Sequence, residues 1–128
     1  MSRQFVVQVT NKPGQMASLA EQMAARNVDL RAIGGGGLGK VGHFIMTTAD
    51  DDTARQVLDE GGWKYFEGES LLAEVDDHPG GMARIARELA DAGVNVLGHL
   101  FLGRWSDRAT FAFVVDDPEK ARPILERR

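Results

Sequence analysis

Cysteine is missing altogether, which excludes disulfides, thiolate metal sites and a cysteine nucleophile. Positive charge is scarce as well: 15 Lys and Arg stand against 19 Asp and Glu, for a net charge of −4. Neutralising the phosphates of a nucleic acid needs a basic surface, so no nucleic-acid partner is expected. Long apolar runs are also lacking. The opening MSRQFVVQVT has no signal-peptide core, and no later run has membrane-spanning length, so a cytoplasmic protein without a membrane partner is expected. What remains is a chain of 128 residues, 43% hydrophobic and 27% charged, which suits one ordinary domain or two small ones.

An internal repeat decides between these. NKPGQMASLAEQMAARNVDL, starting at Asn11, aligns with DHPGGMARIARELADAGVNV, starting at Asp77, so that Pro13 corresponds to Pro79. Met16, Leu19, Ala20, Met23 and Ala24 fall on Met82, Ile85, Ala86, Leu89 and Ala90. Both sets have the spacing of a helix with one buried face. Asn27 falls on Gly93, and both residue types accept the left-handed conformation that ends helices. Upstream, Phe5, Val7 and Val9 match Leu71, Ala73 and Val75 on one face of a strand. Downstream, HFIMTT matches TFAFVV with the offset one residue larger, which places an extra residue in the hairpin loop of the second copy. TARQVL and KARPIL then give a second helix, with Ala54, Val57 and Leu58 inward in the first.

The first copy adds a fourth strand, WKYFEG. The order β-α-β-β-α-β is that of a ferredoxin-like sandwich, two helices on one face of an antiparallel sheet. The expected class is α+β: two tandem ferredoxin-like units, residues 1–68 and 69–128, the second lacking its last strand. The junction near Gly68 is short, so the units are expected to pack together. The missing strand would leave an open edge around Leu71 to Val75, which another segment or a second copy should cover.

The run GGGGLGKV resembles two phosphate-binding signatures. Gly34, Gly36 and Gly39 satisfy G-x-G-x-x-G; Gly34, Gly39 and Lys40 satisfy most of a P-loop. Such loops work by leading into a helix N-terminus, whereas VGHFIMTT follows here, with strand-forming residues and Val41 where Ser or Thr would hold magnesium. A flexible hairpin tip is expected, with no nucleotide and no cofactor. The segments that do run from a strand into a helix are TNKPGQM and DDHPGGM. Pro suits a first helical turn and Gly admits close approach of a ligand to the backbone. The plainer role of these loops is helix capping by Asn11 and Asp77.

Strand, Asn/Asp-x-Pro-Gly, apolar helix, then Asn-Val-Asp-Leu or Gly-Val-Asn-Val: in this sequence the chain resembles the ACT domain family. The second copy matches the family signature through Asp77, Pro79, Gly80, Gly93, Asn95 and Val96. The first has Asn11 for Asp, Asn27 for Gly and Asp29 for Asn. The chain is similar to small proteins of two tandem ACT domains. That resemblance implies a non-catalytic regulatory module binding an amino acid or related small metabolite, at least dimeric, with a regulated enzyme as a possible partner. Implied ligand contacts in the first copy are Asn11, Lys12, Pro13, Gly14, Gln15 and Met16, with Asp29, Leu30 and Arg31 from the following strand. In the second copy they are Asp77, His78, Pro79, Gly80, Gly81 and Met82, with Asn95, Val96 and Leu97.

Three alternatives accompany this reading. A regulatory or scaffold subunit could act through protein contact alone, and a small enzyme could use the same fold. His78 beside Asp76 and Asp77 could serve a metal or act as a base, although His43 and His99 are too remote in sequence to complete a ligand set. Asp50 to Asp52 are expected to cap a helix, and Trp105 either to pack at a hairpin tip or to cover a ligand.

Overall fold

The computed structural model describes residues 2–126. The chain forms two compact units, Met1–Gly68 and Glu69–Arg128. Unit 1 runs β1 (Arg3–Thr10), α1 (Gln15–Ala25), β2 (Leu30–Leu38), β3 (Val41–Thr48), α2 (Asp51–Glu60) and β4 (Lys64–Glu69). Unit 2 runs β5 (Leu71–Asp76), α3 (Gly81–Asp91), β6 (Val96–Trp105), β7 (Arg108–Val115) and α4 (Pro118–Leu125). The sheet orders are β2-β3-β1-β4 and β5-β7-β6. This is the ferredoxin-like α+β fold. Among the described residues the second sheet has three strands and β5 is one of its edges.

Alternation along β1 and β5 sends Phe5, Val7 and Val9, and Leu71, Ala73 and Val75, into the two cores. Against them α1 buries Leu19 and Met23, α2 buries Ala54, Val57 and Leu58, and α3 buries Leu89. Each such large side chain contributes about 1.5–3 kcal/mol relative to exposure. The expected helix faces are narrower than the spacing implied. Met16 is 52% exposed, and Ala24, Ala86 and Ala90 are exposed too. Met16 belongs to the first turn, beside a cleft that leaves its side chain uncovered.

Helix ends follow the expected chemistry at most positions. Asp50 accepts from the Thr53 amide at 3.1 Å and Asp117 from the Lys120 amide at 3.2 Å. The Thr53 hydroxyl and amide hold the Asp50 carboxyl below its ordinary range. Asn27 (φ 60) and Gly93 (φ 77) end α1 and α3 in the left-handed region.

Two expectations about the hairpins are corrected. Gly34 to Gly37 are not a loop: they pair with Ile45, Phe44, His43 and Gly42 within β2. Only Gly39 and Lys40 form the turn, with Gly39 at φ 64. The cross-strand ladder of β3 imposes extension on residues that have little preference for it. Nor does the extra residue of the second copy lie in the loop. Ser106 and Asp107 form an equally short turn, and the register of β6 shifts between Phe101 and Gly103. The insertion is a β-bulge at Leu102, a residue without a ladder partner.

A carboxylate ties three elements of unit 1 together. Glu67 on β4 accepts from Arg55 Nη2 on α2 at 3.0 Å and from Arg3 Nε on β1 at 3.3 Å, with Arg55 Nε also in contact. Arg55 above all holds the Glu67 carboxyl below its ordinary value. A depressed pKa contributes stability above the unfolded value of about 4.3 and loses it as pH falls through the folded value. Glu67→Gln is therefore expected to destabilise unit 1 by about 1–2 kcal/mol at pH 7. Thermal melts at pH 7 and pH 3 check this: the gap between wild type and variant should shrink at the lower pH.

Candidate functional site

The strand–helix loops of the two units are built alike and differ where a ligand would sit. In unit 1 the chain leaves β1 at Thr10, passes Pro13, and enters α1 after Gly14, whose φ of 93 needs glycine. Gly80 has the same φ before α3. The helices start two residues beyond Pro13 and Pro79, so neither proline sits in a first turn. Neither helix has a side-chain cap, which corrects the capping roles expected of Asn11 and Asp77. Both lie three residues ahead of the true N-cap, too far back to reach the first helical amides. Instead Asn11 Nδ2 donates to the Gly39 carbonyl at 3.0 Å, and Asp77 Oδ2 accepts from Arg104 Nε at 2.8 Å.

In unit 1 this leaves a cleft of about 370 Å³ on the helix side of the sheet, beyond the N-terminus of α1. Val9, Gly35, Gly42 and Phe44 contribute to its sheet side, with Ile33 alongside. Thr10, Asn11, Lys12, Gly14, Gln15 and Met16 form the opposite wall. Lys12 is the one charged side chain among these lining residues. A helix N-terminus free of acidic residues in its first turn beside a lysine favours an anionic group at that end. The valine, isoleucine, methionine and phenylalanine suit an apolar group at the other.

The structure thus gathers Asn11, Lys12, Gly14, Gln15 and Met16 around one cleft. Pro13 shapes the same loop without lining it. Asp29, Leu30 and Arg31 stand at the far end of β2, where Arg31 Nε pairs with Asp29 Oδ2 at 3.3 Å. The β2 residues that reach the cleft are Ile33 and Gly34 to Gly36. Glycines signal bending more readily than pairing, and only the register of β2 on β3 reveals them as a wall of the cleft.

Unit 2 is arranged differently. Gly81 is buried, and a Cβ there would lie 2.0 Å from the Asp76 carbonyl oxygen, so the start of α3 rests directly on the end of β5. The equivalent residue in unit 1, Gln15, carries a side chain. Phe101 holds the register position of Gly35 and its ring lies 5.5 Å from that of Phe111, the counterpart of Phe44. Arg104, the counterpart of Gly37, lies 4.9 Å from the centre of the Phe101 ring while pairing with Asp77. A smaller cavity of about 130 Å³ touches Gly81, Asp76, Arg84 and Arg108. Asp77, His78, Pro79, Gly80 and Met82 do not line it, nor do Asn95, just ahead of β6, and Val96 and Leu97 at its start.

His78 Nε2 is 3.6 Å from Asp76 Oδ2, and its Nδ1 is 2.9 Å from the Pro79 carbonyl. Among the described residues no group of three or more His, Asp or Glu could hold a metal ion. No helix among them is long and apolar enough to cross a membrane. Trp105 is 84% exposed, so it does not pack at the hairpin tip.

No protein-family model matches the chain, and no curated protein matches it significantly. Solved structures do share the fold. A protein from Bacteroides thetaiotaomicron superposes with a TM-score of 0.74 at 18% identity, over 98% of this chain and 86% of that one. The regulatory subunit of aspartate kinase from Thermus thermophilus gives 0.65 at 16% identity, over 98% and 87%. A structure of aspartokinase alpha and beta subunits gives 0.64 at 21% identity, over 98% and 90%. At these identities the likeness concerns the fold.

Proposed function

We propose that the chain is a non-catalytic regulatory module of the ACT type, and that the cleft of unit 1 binds an amino acid or a similar small carboxylate. The observation that carries this reading is the cleft itself. An apolar floor, a single lysine and an uncapped helix N-terminus converge there, in a volume within the usual range for small-ligand sites. The carboxylate would meet the amides of Gln15 and Met16, which no side chain of α1 satisfies, with Lys12 near. Asn11, its Nδ2 committed to Gly39, presents Oδ1 to an ammonium group. The signature residues of the loop support the same assignment, as does the shared fold with a regulatory subunit of aspartate kinase. By analogy with that protein, a partner enzyme would read the occupancy of the cleft.

A thermal-shift screen of the chain against the common amino acids tests the reading. A ligand present at a hundred times its Kd stabilises the folded state by about 2.7 kcal/mol, enough for a rise of several degrees in a unit of this size. A rise with a small subset is expected. A flat response to all of them would remove the metabolite and leave a module acting through protein contact alone.

A further inference from the structure

Unit 2 supplies an internal model of what fills the cleft of unit 1. The two units share strand register position by position up to the bulge at Leu102, and again after it. Gly35 faces Phe44 in one, Phe101 faces Phe111 in the other. Gly37 corresponds to Arg104, and Asn11 to Asp77. Where unit 1 has glycines and an open cleft, unit 2 has an aromatic ring resting on the strand phenylalanine and a cationic group held by the loop residue. The two fit together: the guanidinium of Arg104 bonds Asp77 at 2.8 Å and covers the Phe101 ring at 4.9 Å. Aromatic pairs prefer such tilted contacts, and a cation over a ring is favourable.

Resting on the ligand-binding reading of unit 1, we propose that the cleft takes an aromatic amino acid. Its ring lies on Phe44 over Gly35 and its ammonium group meets Asn11 Oδ1, the two places that Phe101 and Arg104 occupy in unit 2. The lining agrees with this class. No acidic side chain lines the cleft, so a lysine or arginine side chain would lose its hydration there without a partner. An acidic side chain would meet an apolar floor. Unit 2 carries its own ring and cation in the corresponding place, so one site per chain follows.

Isothermal calorimetry with L-phenylalanine, L-leucine, L-lysine and L-aspartate tests this on the full chain. Wild type should bind one phenylalanine per chain, about two- to tenfold more tightly than leucine, the margin that an aromatic pair provides. The double variant Asn11→Asp, Gly37→Arg rebuilds the unit 2 pair beside the cleft. The three atoms nearest to a Cβ at Gly37 all belong to the Asn11 side chain, which the new ion pair draws aside. That variant should lose phenylalanine binding by about thirtyfold or more. Phe44→Leu keeps an apolar residue of similar volume at a half-buried position and should erase the preference for phenylalanine over leucine. It serves even if the double variant does not fold. Arg104→Ala should bind as wild type does.

Leucine, lysine or aspartate binding more tightly than phenylalanine would overturn the aromatic class and leave unit 1 as a ligand site. Phenylalanine bound equally by wild type, a folded double variant and Phe44→Leu would also overturn it. A wild type that binds none of the four, with a flat thermal response to the other common amino acids, would overturn the ligand-binding reading beneath it.

Discussion

Ile33→Asp is expected to weaken ligand binding by about thirtyfold or more while unit 1 stays folded. Ile33 lines the cleft and is 41% exposed on β2, an edge strand. Edge positions accept charge readily, and natural sheets use it there to discourage pairing with other chains. Two losses combine at the site. The ligand gives up part of its apolar contact, about 1 kcal/mol for a half-covered isoleucine. Its carboxylate then shares a small cleft with a second one, which at an effective dielectric near 20 costs roughly another 1–2 kcal/mol. Together these correspond to about thirty- to a hundredfold in affinity. Calorimetry gives the binding change, and a melting curve within about two degrees of wild type would show that the fold is kept.

Gly81→Val is expected to destabilise unit 2 by about 2–4 kcal/mol. The added Cβ would lie 2.0 Å from the Asp76 carbonyl oxygen and 3.2 Å from a Val75 methyl. Neither is the end of a flexible side chain, so α3 would have to lift from β5, loosening Leu89 against Leu71 and Phe113 in the core. The same change at the matching position of unit 1, Gln15→Val, should cost under about 1 kcal/mol, since a side chain already stands there. Urea unfolding of the two variants checks the contrast. Equal, small effects would mean that the closed start of α3 is incidental.

Much of the architecture is legible in the sequence because the repeat states it twice. Alternation at Phe5, Val7 and Val9 recurs at Leu71, Ala73 and Val75. The helices are marked at their ends by Asp50, Asp117, Asn27 and Gly93. What the repeat conceals is how the two copies differ. The glycine run reads as a loop because glycine has no intrinsic preference for extension, and the pairing of Gly34 to Gly37 is a decision of β3. The bulge at Leu102 depends on which amides find partners across the hairpin, and composition does not record that. The loop residues Asn11 to Met16 are recognisable as a signature. The β2 residues that line the cleft with them are Ile33 and Gly34 to Gly36, further along the chain than the expected contacts Asp29 to Arg31, because the cleft opens beside the helix N-terminus and not beside its C-terminal turn. Asp77 and Arg104 are distant in sequence, and only the fold shows that one occupies the other.

The most direct test follows the backbone amides during titration with the amino acid that raises the melting temperature most. Glycine amides resonate in a separate region of the proton–nitrogen spectrum, so Gly14, Gly34, Gly35 and Gly36 report the cleft individually. The expected result is saturable movement of residues 14–16 and 33–36, with residues 80–82 and 101–104 still. Movement concentrated in that second set, with the β2 glycines unmoved, would contradict a ligand site in unit 1.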